Sequence, residues 1–224
     1  MLSFQDFFTA CAGTWQTERT YHSVLTGEVE RSYTEFRADT LDQSEKQRIL
    51  IRSSAQPGQV AEQSFSGIQI AIDRLLQTPL SWFGFAISFA TRSETGEEVA
   101  MSLKALFMPD EFVPTQPKAV KPMPLPVAAQ VPLDPAGEMI QGFYLRDQGY
   151  YQPGAIAGRF TYQPTRQTLE MTTYYKSSIA VDQMRFIRPD LRLRTIVTYQ
   201  RPEDDQIPAS VVSLVGFGVE HKQP

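Results

Sequence analysis

Apolar residues in this chain recur at two different spacings. Phe4, Phe7, Phe8 and Cys11 fall on one helical stripe, with Ser3 as an N-cap, Asp6 completing a capping-box variant, and Gly13 able to end the turn. That spacing predicts a short amphipathic helix over residues 3–12. Beyond it the texture becomes β-like. Loose alternation or β-rich composition predicts strands over 19–25, 29–40, 68–76, 82–90, 99–108, 159–163, 169–175, 181–187, 191–200 and 211–220. Residues 42–48 are polar enough for a short helix ahead of Ile49-Leu50-Ile51. About ten short strands with turn signals between them predict one mainly β domain over 1–224, an antiparallel barrel or sandwich behind a short N-terminal helix.

One stretch departs from both spacings. Eight of the chain's sixteen prolines lie between Pro109 and Pro135. Proline cannot donate to a ladder, so a long loop is expected at about 109–135. It is either a plain surface insertion or a flap or docking arm over a barrel mouth.

Composition narrows the function classes. A net charge of -4 and a pI near 5.3 argue against nucleic acid, which needs a clustered basic surface. No apolar run approaches a membrane span, and residues 1–8 lack the pattern of a secretory signal. The single cysteine, Cys11, suits a reducing cytoplasm and sits on the helix's apolar stripe, where a small buried side chain is the plain reading. There is no nucleophile elbow, phosphate-binding glycine loop or zinc-type cysteine pattern. Two histidines, His22 and His221, are too few for a metal cluster, and no metal is expected.

Two local features carry information. Gly13-Thr14-Trp15 follows the helix directly, the arrangement of a barrel whose end is plugged by an indole; the alternative is a tryptophan in any β-core. Trp82 is expected in the core. The second feature runs from Val181 to Thr195. A three-residue loop at Arg188-Pro189-Asp190 would pair 186 with 192, 184 with 194 and 182 with 196. Asp182, Met184, Phe186, Arg192, Arg194 and Ile196 would then share one face, with Val181, Ile187, Leu191, Leu193 and Val197 on the other. Periodicity leaves open which face lines the lumen.

The chain resembles the S/U-type chromophore lyases of phycobiliproteins over most of its length. The resemblance rests on Phe7-Phe8, Ala12-Gly13-Thr14-Trp15 and Arg19-Thr20-Tyr21-His22; on Tyr144-Leu145-Arg146-Asp147-Gln148-Gly149-Tyr150 with Gly158-Arg159-Phe160; and on Thr172-Thr173-Tyr174 with Phe186 to Thr195. The run from Pro189 to Thr195 is the most specific piece. The chain departs from the family at Thr173 and Tyr175, where Glu is usual, at Asp182, a shortened Glu, at Arg185, where an aromatic is common, and at Cys11, usually Ser. The resemblance implies a lipocalin-like antiparallel β-barrel. It implies an open-chain tetrapyrrole (a bilin, phycocyanobilin or phycoerythrobilin) as substrate with no permanent cofactor. It also implies transfer of that pigment to a cysteine of an apo-phycobiliprotein subunit, alone, as a homodimer or with a paralogous lyase subunit.

On that reading Asp182 would accept from pyrrole N–H groups and Arg192 would clamp a propionate, the two expected catalytic positions. Trp15, Arg19, His22, Arg146, Tyr174 and Arg194 would bind the pigment. The alternatives are a non-catalytic carrier of bilin or fatty acid, or a subunit that activates a paralogous lyase.

Overall fold

The structure is a computed structural model that describes residues 1–53, 72–78, 81–113, 124–130, 138–147 and 156–224. Helix α1 (Phe4–Cys11) begins at Ser3, whose Oγ accepts from the Asp6 backbone N–H at 3.1 Å. Ten strands follow: β1 (Gly13–Ser23), β2 (Val29–Thr40), β3 (Phe83–Ser93), β4 (Glu98–Pro109), β5 (Ile140–Arg146), β6 (Ile156–Gln163), β7 (Thr168–Tyr174), β8 (Ser178–Arg188), β9 (Leu191–Gln200) and β10 (Val212–Lys222). Each pairs antiparallel with its neighbours in sequence, and β10 returns to β1 to close a barrel. Helices α2 (Gln43–Ser53) and α3 (Ile72–Gln77) lie between β2 and β3.

Ten strands were expected and ten are present, with one exchange. Residues 72–77 are helical rather than extended; the run Ile72-Asp73-Arg74-Leu75-Leu76-Gln77 holds good helix formers and no period-two alternation. The remainder of that expected strand, 68–71, lies outside the described residues. Strand β5 was not expected, because its apolar residues occupy both faces and leave no alternation to read. Tyr144 points into the barrel while Phe143 and Leu145 pack outside.

Helix α1 closes one end of the barrel. Phe7, Phe8 and Cys11 are buried against Trp15, Phe107, Tyr162 and Phe186, and Tyr162 Oη donates to the Leu2 carbonyl at 2.7 Å. Burying each phenylalanine contributes roughly 1.5–3 kcal/mol, so this apolar face holds the plug far more firmly than its eight-residue length could. Gly13 links plug to barrel at a φ of 118°, and a β-carbon there would sit 2.8 Å from Lys222 Cε. Lys222 Nζ in turn donates to the Ala10 carbonyl at the helix end.

Two further apolar clusters lie outside the barrel. Leu41, Ile49, Leu50 and the expected core residue Trp82 pack α2 against Leu106, Met108 and Leu145. Residues 124–130 of the proline-rich segment lie along the outer wall of β7–β9. There Ala129 packs with Ile179, Val181 and Tyr199, and the Ala128 N–H donates to Tyr199 Oη at 3.1 Å. This described part is a strap on the outer wall, not a flap across the mouth. Beneath it Gln183 Nε2 donates to the Ala128 carbonyl and to Glu170 Oε2, and burial pushes the Glu170 carboxyl up to about 6.

Candidate functional site in the barrel lumen

The hairpin of β8 and β9 settles which face points inward. Phe186 pairs with Arg192, Met184 with Arg194 and Asp182 with Ile196, the register expected. The loop is tighter than expected: Arg188 pairs with Leu191, Pro189 and Asp190 form a two-residue turn, and a bulge at Ile187 absorbs the difference. Phe186 and Arg192 are buried, whereas Ile187 and Leu193 are exposed, so the mixed, charged face lines the lumen.

Arg192 lies at the plugged end. It is 1% exposed, stacks 3.8 Å above the Trp15 ring, and donates through Nε to Glu220 Oε2 at 2.9 Å. Trp15 is itself fully buried, its Nε1 donating to the Cys11 carbonyl at 3.0 Å. Both expected site residues therefore have partners within the protein. Arg192 is the ion-pair partner of Glu220 and the roof of Trp15, and both side chains are buried beneath α1. Burial of Glu220 works to raise its pKa, but Arg192, Arg194 and Arg19 outweigh it and hold the carboxyl below its ordinary value.

Two other expected site residues face away from the lumen. His22 points outward, where its ring stacks on Phe217 with centroids 6.2 Å apart. Tyr174 belongs to the outer cluster under the strap. Adjacent strand residues face opposite ways, so Tyr21 lies on the lumen side instead, while Tyr175 reaches the buried Arg146. Arg146 Nη2 donates to Tyr175 Oη at 2.7 Å. Arg146, beside the inward-facing Tyr144 and Ala105, is a lumen residue as expected.

What remains is a charged belt between plug and mouth. Arg194 forks onto Asp182, with Nε 2.9 Å from Oδ1 and Nη2 bonded to Oδ2. Arg194 Nη1 and Arg19 Nη2 each stand 3.6 Å from Glu220 Oε1. With the buried Arg192 behind the belt counted in, three arginines, Arg19, Arg192 and Arg194, face two carboxylates, Asp182 and Glu220, which leaves one positive charge in excess. Arg19 has the loosest ties: its Nε is buried with no hydrogen-bond partner, and its Nη1 reaches only Tyr21 Oη, at 3.5 Å. Such a belt attracts an anionic ligand, and its spare guanidinium edge can take a carboxylate.

A shallow open depression of about 530 Å³ also lies on the outer wall of β2–β4, among Glu35, Ser88, Ala90, Ala100 and Ser102. It holds no buried charge, and the lumen is the better candidate.

Comparison with known proteins agrees with this geometry. A family model described as CpeS-like protein matches residues 3–78 and 126–223. A curated relative, chromophore lyase CpcS/CpeS 1 of Synechococcus sp. (strain JA-3-3Ab), is 36% identical over 219 residues, spanning 98% of this chain and 96% of the relative. Among solved structures, the S-type phycobiliprotein lyase CPES from Guillardia theta superposes with a TM-score of 0.57 at 14% identity, covering 100% of this chain and 94% of that one; this is a likeness of fold.

Proposed function

The chain belongs to the CpeS-like family, and from that premise we propose that it is a chromophore lyase, which takes up an open-chain tetrapyrrole and passes it to a phycobiliprotein cysteine. The observation that carries this reading is the charged belt of Arg19, Asp182 and Arg194, set in a barrel plugged at one end. A bilin bears two propionates and a row of pyrrole N–H groups. Arg19, with donor capacity to spare, takes a propionate. Asp182, held in place by Arg194, accepts from pyrrole N–H groups and keeps the conjugated system electron-poor. Arg146 is the second cation available to the pigment.

The reaction is an addition. The partner's cysteine sulfur forms a bond to the ethylidene carbon, the carbon–carbon double bond is lost, and the thiol proton ends on the pigment. No oxidant is needed, and this chain supplies no nucleophile. Its residues bind and orient, and the plug keeps water from the closed end. The setting is the cytoplasm. The direct partner is an apo-phycobiliprotein subunit, and a second copy or a paralogous subunit is a further candidate.

The test is to mix the purified protein with phycocyanobilin and an apo-phycobiliprotein subunit, then denature. Pigment that stays with the subunit through denaturation supports the lyase. Pigment that sharpens its long-wavelength band with this protein but washes out on denaturation, with or without a paralogous subunit, would make the protein a carrier.

A further inference from the structure

Past Glu220, on the mouth side, the wall of the lumen formed by β10 is bare at two successive inward positions. Its inward positions nearest the belt are Gly216 and Gly218, and the register places Tyr21 opposite Gly216 and Arg19 opposite Gly218. Neither glycine has a positive φ, so no backbone constraint demands glycine there. Space does. A β-carbon at 216 would sit 2.6 Å from Tyr21 Cδ1 and 2.7 Å from Cε1. One at 218 would sit 2.8 Å from Thr17 Oγ1 and 3.1 Å from Arg19 Cγ. Tyr21 and Arg19 therefore lean across the neighbouring strand onto naked backbone. The ring stands one step nearer the mouth than the guanidinium, and Arg19 Nη1 lies 3.5 Å from Tyr21 Oη.

We propose that Tyr21, seated on Gly216, is a stacking platform for one pyrrole ring of the pigment, and that Gly216 determines specificity by keeping that platform against the wall. The proposal rests on the bilin reading above. A planar conjugated ligand needs a flat apolar face beside the cation that takes its carboxylate, and ring and guanidinium here form one continuous surface. A side chain at 216 would push the ring into the lumen and narrow the slot. An aromatic over a cross-strand glycine also stabilises a sheet without any ligand, so stability alone does not distinguish the two roles.

The experiment titrates phycocyanobilin into wild type, Tyr21→Phe, Tyr21→Leu, Gly216→Ala and the Tyr21→Leu/Gly216→Ala double variant. Affinity and induced circular dichroism of the pigment are the readouts, and urea unfolding of each apo-protein is the control. Tyr21→Phe should bind within about twofold of wild type with the same dichroism, because the face is kept. Tyr21→Leu should lose about tenfold and change the dichroism, the scale expected of one lost stacking contact. Gly216→Ala should lose affinity too, and the double variant should be no worse than Tyr21→Leu alone, since Gly216 acts through the ring.

Tyr21→Leu binding pigment like wild type, with unchanged dichroism, would overturn the proposal while leaving the bilin reading intact. A Gly216→Ala loss that persists in full beside Tyr21→Leu would overturn the role of Gly216. Wild type that binds no pigment would overturn the bilin reading and the platform with it. If Gly216→Ala unfolds, the contrast of Phe with Leu at position 21 still decides.

Discussion

Arg192 and Arg194 stand two residues apart on one strand, point into one lumen, and do different things. Arg192 is sealed beneath α1, pressed on Trp15 and joined to Glu220. Arg194 lies in the belt, about one-sixth exposed, and grips Asp182. The plug makes the difference. Under it a guanidinium serves as part of the core, and beyond it the same group is partly open to solvent. An arginine in a barrel is therefore read from what covers it, not from its place in a motif.

Arg192→Ala is the strongest test of that contrast. It leaves Glu220 buried without its main partner, and breaking such a pair costs roughly 3–5 kcal/mol. Urea unfolding of the apo-protein should show the loss directly. A stable variant that has merely lost pigment affinity would return Arg192 to the ligand and erase the contrast.

The contrast extends to acids. Three arginines hold Glu220 below its ordinary pKa, whereas Glu170, on the outer wall with an amide for a partner, is pushed up to about 6. A raised carboxyl binds its proton more tightly folded than unfolded, so stability falls as pH climbs from about 4.3 through 6, and the penalty is complete above that. Glu170→Gln should therefore raise stability at pH 7.5 by about 2 kcal/mol and leave it unchanged at pH 4. Unfolding curves at the two pH values check it; equal gains at both would exclude titration as the cause.

Arg19→Ala gives the smallest effect. It should cost about tenfold in affinity for free bilin, near 1.4 kcal/mol, with little change in stability. Bilin dimethyl ester, which lacks the propionate charge, should bind the variant and wild type alike. Equal binding of the free acid as well would remove Arg19 from the site.

Much of the fold could be read from alternation and turn chemistry. The helix, nine of the strands and the β8–β9 register all follow from local pattern. Strand β5 could not be read, because α2 covers its outside and makes both faces apolar. The site was harder to read. His22 and Tyr174 face outward, and their neighbours Tyr21 and Tyr175 lie on the lumen side. The parity set by Trp15, Thr17 and Arg19 on the same strand was the available signal for the first. The role of Arg192 depends on Glu220, 28 residues away on another strand, and no local pattern announces that partner.

The topology concentrates several ties on one strand. Nine of the ten pairings join strands adjacent in sequence, and only the β1–β10 seam spans the whole chain. Without β10 the other nine strands would leave two raw edges, on β1 and β9, of the kind that pair with other copies. In the barrel β10 covers both edges. It also brings in Glu220 for Arg192, the bare wall under Tyr21, and Lys222 for the end of α1. Ring closure, the tie to the plug and one wall of the lumen thus all depend on one strand.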